Sequence, residues 1–271
     1  MDEQREPQGV SETSTSTNFS SQDYRQFLIK VLQTTLETDD NPQVIYSLLQ
    51  ENLDKLNNKF ILFLQKWAEA TFSEVESSTA ERIAMYIGNF SNLIREFPLG
   101  NKATNMEISI AGYKTLLIVF SRHTHSEIWA QIQNNFGNAY WERISGERAE
   151  NLEMAIAAYQ NALEVYTKET FPSQWAMTQN NLGAAYSDRI LGERAENLEM
   201  AIAAYKMALQ FRTREAGLIQ WATTQNNLGV AYWKRISGKR AENLEMAIAS
   251  YKKALQVYTP EAFPIDWAMA Q

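Results

Sequence analysis

Tryptophan recurs at Trp129, Trp175, Trp221 and Trp267, in steps of 46 residues, and between these marks the chain repeats itself. Placed in register, residues 175–220 and 221–266 agree at 32 of 46 positions. The run Arg-Ala-Glu-Asn-Leu-Glu-Met-Ala-Ile-Ala begins unchanged at Arg148, Arg194 and Arg240. A period of this length marks a unit that cannot bury its apolar face alone and stacks on its neighbours. The sequence therefore predicts an elongated solenoid.

Each unit reads as two helices. Gly146, Gly192 and Gly238 follow Arg-Ile-Ser or Arg-Ile-Leu and precede a long apolar-periodic stretch, and glycine is the usual residue where a helix ends in the left-handed region. In the unit 175–220 the two helices are expected near 174–190 and 195–213, as an antiparallel hairpin. The units are 129–174, 175–220 and 221–266, and residues 267–271 open another that stops within its first helix. This is read as a shortened or split relative of a longer protein, with an unfinished repeat through which copies could self-associate. A degenerate unit occupies 83–128, because Ile110, Ala111 and Tyr113 fall on Ile156, Ala157 and Tyr159 one period on. Ser91 stands there where Gly137, Gly183 and Gly229 stand later.

Upstream, Phe27, Val31 and Leu32, then Phe60, Leu64, Trp67 and Ala68, give helical periodicity broken at Asn41-Pro42 and Asn57-Asn58. Residues 23–82 are thus an N-terminal helical segment with Asn41 and Ser78 as caps, and the chain holds about eleven helices. Residues 1–22 are polar, with Pro and Gly and little to bury, which predicts a disordered tail.

The net charge of −7 argues against nucleic acid, which needs clustered Lys and Arg. The chain has no cysteine, which removes disulfides, thiolate ligands and cysteine nucleophiles together. His123 and His125 are its two histidines, and the repeat places nothing beside them to complete a metal site. No acid, base and nucleophile converge, so neither catalysis nor a cofactor or metal is expected. No apolar run approaches the roughly 18–20 residues that span a bilayer, and a cytoplasmic location is expected.

Leu182-Gly183-x-x-Tyr186 followed by Ala201-x-x-x-Tyr205-x-x-Ala208 resembles the tetratricopeptide pattern, whose usual unit is about 34 residues. Long units bearing Gln-Asn-Asn-Leu-Gly-x-Ala-Tyr look like the kinesin light chain type. Arg-Ala-Glu-Asn-Leu-Glu-x-Ala-Ile-Ala looks like cyanobacterial repeats that precede a caspase-like (CHAT) peptidase domain. The resemblance covers 23–271 and implies an all-α, right-handed solenoid whose concave groove binds a protein or peptide. Its alternative is the sensing module of a CHAT peptidase system, whose cysteine–histidine chemistry a chain without cysteine cannot carry.

Asparagine is a poor helix former, yet Asn134-Asn135, Asn180-Asn181 and Asn226-Asn227 recur within the first helix of each unit, with Asn89 in register. In tetratricopeptide-like folds the residue before Leu-Gly lines the groove, which implies a ladder of Asn89, Asn135, Asn181 and Asn227. Such amides can pair with a peptide backbone. The other reading is a ladder of amides bonded to one another. Trp141 and Trp233 fall on the same face as anchors. The 46-residue tryptophans read as core, and Gly183 as the site where small residues such as Ala201 approach closely.

Overall fold

The computed structural model describes residues 19–38 and 40–270. Twelve α-helices follow one another among them: α1 (Ser21–Glu37), α2 (Pro42–Gln50), α3 (Asn58–Glu74), α4 (Ser77–Glu96), α5 (Lys102–Val119) and α6 (Ser126–Glu142). The rest are α7 (Arg148–Leu163), α8 (Pro172–Asp188), α9 (Arg194–Ala208), α10 (Leu218–Lys234), α11 (Arg240–Ala254) and α12 (Pro264–Ala270). The stretch read as a tail lies outside the described residues up to residue 18. Its last residues belong to the fold, because Ser20 and Asp23 form a capping box that opens α1. Asn41 caps α2 with Pro42 at its first position. Ser78 does not cap α4: Glu76 holds that place, and the Ser77 hydroxyl donates to Glu81 at 3.2 Å.

Four hairpins, α4–α5, α6–α7, α8–α9 and α10–α11, stack in sequence, each second helix packing on the first helix of the next unit. Helices α1 and α3 pack on α4 and α5, and α12 packs on α11. Successive first helices also touch, α4 on α6, α6 on α8 and α8 on α10, while successive second helices have no comparable contact. The stack therefore bends toward its first helices, which form the inner face.

The turn inside each unit is built the same way. Gly100, Gly146, Gly192 and Gly238 lie at φ 76 to 80°, where an L side chain would be strained. The amides of Asn105, Asn151, Asn197 and Asn243 donate to a turn carbonyl at 2.8–2.9 Å. Lys102, Arg148, Arg194 and Arg240 donate to a last-turn carbonyl of the preceding helix, which would otherwise lack a partner. This accounts for both the Arg and the Asn of the invariant run. The second helix α9 ends at Ala208, short of residue 213. Beyond it Thr213 accepts from the Ala216 N–H at 3.2 Å, a local bond that competes with helix continuation.

The two helices of a hairpin meet at a mid-helix glycine. A Cβ on Gly137, Gly183 or Gly229 would lie 2.6, 2.8 or 2.7 Å from the ring of Tyr159, Tyr205 or Tyr251. The ring of the second helix, not Ala201, is what demands glycine. In the first hairpin the roles exchange: Ser91 takes the glycine's place, and a Cβ on its neighbour Gly112 would lie 1.9 Å from the Ser91 hydroxyl. Burial pushes the Tyr113 phenol up to about 12 and raises those of Tyr159 and Tyr205 as well. The tryptophans sit at the unit junctions: Trp175 is buried with Ala130, Ala162 and Tyr166, and Trp221 and Trp267 pack beside Ala222, Ala254 and Tyr258.

Gly183→Ala gains about 1 kcal/mol of helix propensity but forces Tyr205 aside, at about 1–3 kcal/mol. A net loss of stability is expected, read as a lower urea midpoint with an unchanged slope.

Candidate functional site

On the first helix of each unit the residues left at least partly open recur at spacings of four and three. In α8 they include Ser173, Met177, Asn181, Ala184 and Asp188. The corresponding positions are Met85, Asn89, Asn92 and Glu96 in α4, Gln131, Asn135, Asn138 and Glu142 in α6, and Thr223, Asn227, Val230 and Lys234 in α10. Asn89, Asn135, Asn181 and Asn227 thus form a half-buried row along the inner face, neutral at its centre. Glu96, Glu142 and Asp188 stand along one edge of the face, the first two paired with Arg95 and the third with Arg148. A small cleft of about 40 Å³ lies between α4 and α6, lined by Asn89, Asn92, Gln131 and Asn135 among others.

Each member of the row is tied to what precedes it. Asn89 donates to Asp40 at 2.7 Å, Asn135 to Asn92 at 3.2 Å, Asn181 to Asn138 at 3.1 Å, and Asn227 to Asn180 at 3.3 Å. The acceptors Asn92 and Asn138 also take the phenol hydrogens of Tyr113 and Tyr159, at 2.5 and 2.8 Å. The other asparagine of each pair has a different place. Asn134 and Asn180 are buried, and their Oδ1 atoms accept from the hydroxyls of Thr178 at 3.2 Å and Thr224 at 3.1 Å. Each hydroxyl also lies 2.8 Å from a carbonyl of its own helix, so its hydrogen is shared. Asn226 breaks the series, because its Oδ1 is buried without a partner. Asn134 and Asn180 therefore sit in the seam between units, and Asn135, Asn181 and Asn227 face the inner surface while reaching back across it.

Trp141 is half-buried and its Nε1 donates to Asp188 of the next unit at 3.1 Å. Trp233 is 53% exposed and stands free at the rim. Arg143, Arg189 and Arg235, at the ends of the first helices, grip Glu107, Glu153 and Glu199 of the preceding unit through two bonds each, at 2.7–2.9 Å. Those bonds hold the guanidinium pKa values above their ordinary level. His125 packs edge-on against Phe120 and lies 3.5 Å from Glu81. Among the described residues no group of three or more His, Cys, Asp or Glu could hold a metal ion, and no helix is long and apolar enough to cross a membrane. Sequence reasoning passed over Asn92, Asn138, Thr178 and Thr224; their recurrence at the 46-residue period was the signal that could have found them.

Residues 175–214 and 221–260 match the tetratricopeptide repeat. These two units are tetratricopeptide repeats. Among solved structures, that of BtubC (BKLC) from P. vanneervenii shares the fold, with a TM-score of 0.55 and 16% identity over 88% of this chain and 89% of that one. At that identity the likeness is one of architecture. No curated protein matches the sequence. Tetratricopeptide repeats imply, at the coarse level, a protein–protein interaction scaffold, and the family is generally non-catalytic.

Asn180→Ala removes a buried acceptor from two donors of the next unit and is expected to cost about 1–3 kcal/mol. Asn135→Ala, whose amide lies half-open to water, is expected to cost less than about 1 kcal/mol. Urea denaturation of both variants checks the difference.

Proposed function

We propose that the inner face of α4, α6, α8 and α10 binds an extended segment of a partner protein through the row Asn89, Asn135, Asn181 and Asn227. The observation that carries this reading is that the row is both half-exposed and held. Asn89, Asn135 and Asn227 each give one bond to what precedes them and Asn181 gives two, to Asn138 and Asn134, and a side chain fixed in this way loses little entropy when it meets a ligand. Within the described residues, the Oδ1 atoms of Asn135 and Asn227 accept no hydrogen bond. They are free to take backbone N–H groups, and the second amide hydrogens are free to give to carbonyls.

Spacing supports an extended ligand. Helices in contact lie about 8–10 Å apart, and a strand rises about 3.3 Å per residue. One asparagine would then meet roughly every third residue of the segment. Trp233, apolar and exposed at the rim, supplies the anchor, as aromatic side chains do at interaction hot spots. Trp141 is committed to Asp188 and contributes to the wall.

A peptide selected from a random display library on the folded chain provides the ligand for the test. The triple variant Asn135→Ala, Asn181→Ala, Asn227→Ala should keep its helical circular dichroism and bind that peptide at least tenfold more weakly by calorimetry. Trp233→Ala should weaken binding as well. Undiminished binding by the folded triple variant would sink the proposal.

A further inference from the structure

Three of the four junctions that follow a second helix are closed by a pair of rings: Phe120 with His125, Tyr166 with Phe171, and Tyr258 with Phe263, centroids 5.2, 5.5 and 5.6 Å apart. The first ring of each pair is buried. In the remaining junction, between α9 and α10, Arg212 and Gly217 occupy those two positions. Of the 14 differences between residues 175–220 and 221–266, five fall at Phe211, Arg212, Arg214, Gly217 and Leu218, so the departure is concentrated there. The ring that is lost at 212 reappears one residue earlier. Phe211 stands where the other units have Val119, Val165 and Val257, and it turns edge-on to Trp175 at 5.7 Å.

A cavity of about 260 Å³ opens at this junction, with Ala176, Met177, Phe211, Arg212, Gly217 and Gln220 in its wall. Arg212 is largely withdrawn from water, and that burial depresses its pKa. Its guanidinium makes a single hydrogen bond, to the Thr224 hydroxyl at 3.1 Å. Among the described residues it has no carboxylate partner, unlike Arg143, Arg189 and Arg235. A cation withdrawn from water beside one neutral partner is costly unless an anion completes it. The planar fork of guanidinium matches a carboxylate in particular. Facing it are the apolar side chains of Ala176, Met177 and Phe211, in space that the other junctions fill with rings.

We propose that this cavity binds a monocarboxylic acid carried on an aromatic ring or a similarly flat apolar body. The carboxylate pairs with Arg212 and the ring occupies the place of the missing ring pair. The site adjoins the asparagine row, since Met177 lies on the same face of α8 as Asn181, and it does not depend on the peptide reading of the inner face. The acid is either a free small molecule or the C-terminal carboxylate of a peptide ending in an aromatic residue.

Calorimetry on the full chain with phenylacetate and with the tripeptide Gly-Gly-Phe tests this and separates the two sources. At least one of them should bind, while acetate and benzyl alcohol, each lacking half of the ligand, should bind at least tenfold more weakly than the probe that binds. Arg212→Met should lose at least tenfold in affinity. The double variant Arg212→Tyr, Gly217→Phe restores the ring pair of the other junctions. It should fold, because Gly217 has an extended backbone at φ 178° and the atom nearest an added Cβ, at 2.7 Å, is the movable Oε1 of Gln220. It should melt no lower than the unaltered chain and bind neither probe. Failure of both probes to bind the unaltered chain overturns the proposal, as does equal binding by the double variant or acetate binding as tight as the probe that binds.

Discussion

Each first helix reaches back to the unit before it, and the rest of the molecule depends on that reach. At mid-helix, the buried carbonyls of Asn134 and Asn180 accept from donors of the following unit. At the helix end, Arg189 and Arg235 take both oxygens of a glutamate one unit back. Apolar packing favours stacking without fixing rotation or slide. Two directional polar contacts on one helix fix both, because a shift of either helix would leave a buried amide unpaired and break a two-bond ion pair. The inner face, the asparagine row and the junction cavity all inherit their geometry from this register.

The first hairpin shows how far the pattern can drift while the geometry survives. Glycine and a larger residue exchange helices there, as Ser91 and Gly112 replace Gly137 and Ala158, and the close approach is kept. Phe97 stands where the later units have Arg143, Arg189 and Arg235. The guanidinium that would donate to Asn105 is therefore missing, and the Oδ1 of Asn105 is buried without a partner. The far edge has a matching deficit. Ile248 is 51% exposed where its counterparts Ile156 and Ile202 are buried, and Asn226 lacks the donors its counterparts receive.

Much of the architecture was legible in the sequence, because the period places every residue of one unit on its counterpart in the next. That a left-handed glycine stands in the turn of each hairpin followed from register alone, although it lies three residues beyond the helix's cap at Arg143, Arg189 or Arg235 rather than at it. What register does not give is which way a side chain leans. It puts Gly183 opposite the second helix without saying that the Tyr205 ring, rather than Ala201, lies against it. It also presents each Asn-Asn pair as one feature, although a helical step of about 100° between neighbours sends one into the seam and the other to the inner face. Arg212 could have been noticed as a charge in an aromatic column, but its want of a carboxylate is a fact about space.

A double-mutant cycle between Asn180 and Asn227 tests the seam most directly. Stabilities from urea denaturation of the two alanine variants and of their combination give the coupling across the boundary between units. The account predicts a coupling of about 1 kcal/mol, with each variant still helical. Costs that add to within about 0.3 kcal/mol would contradict it and remove the amide contact from what sets the register.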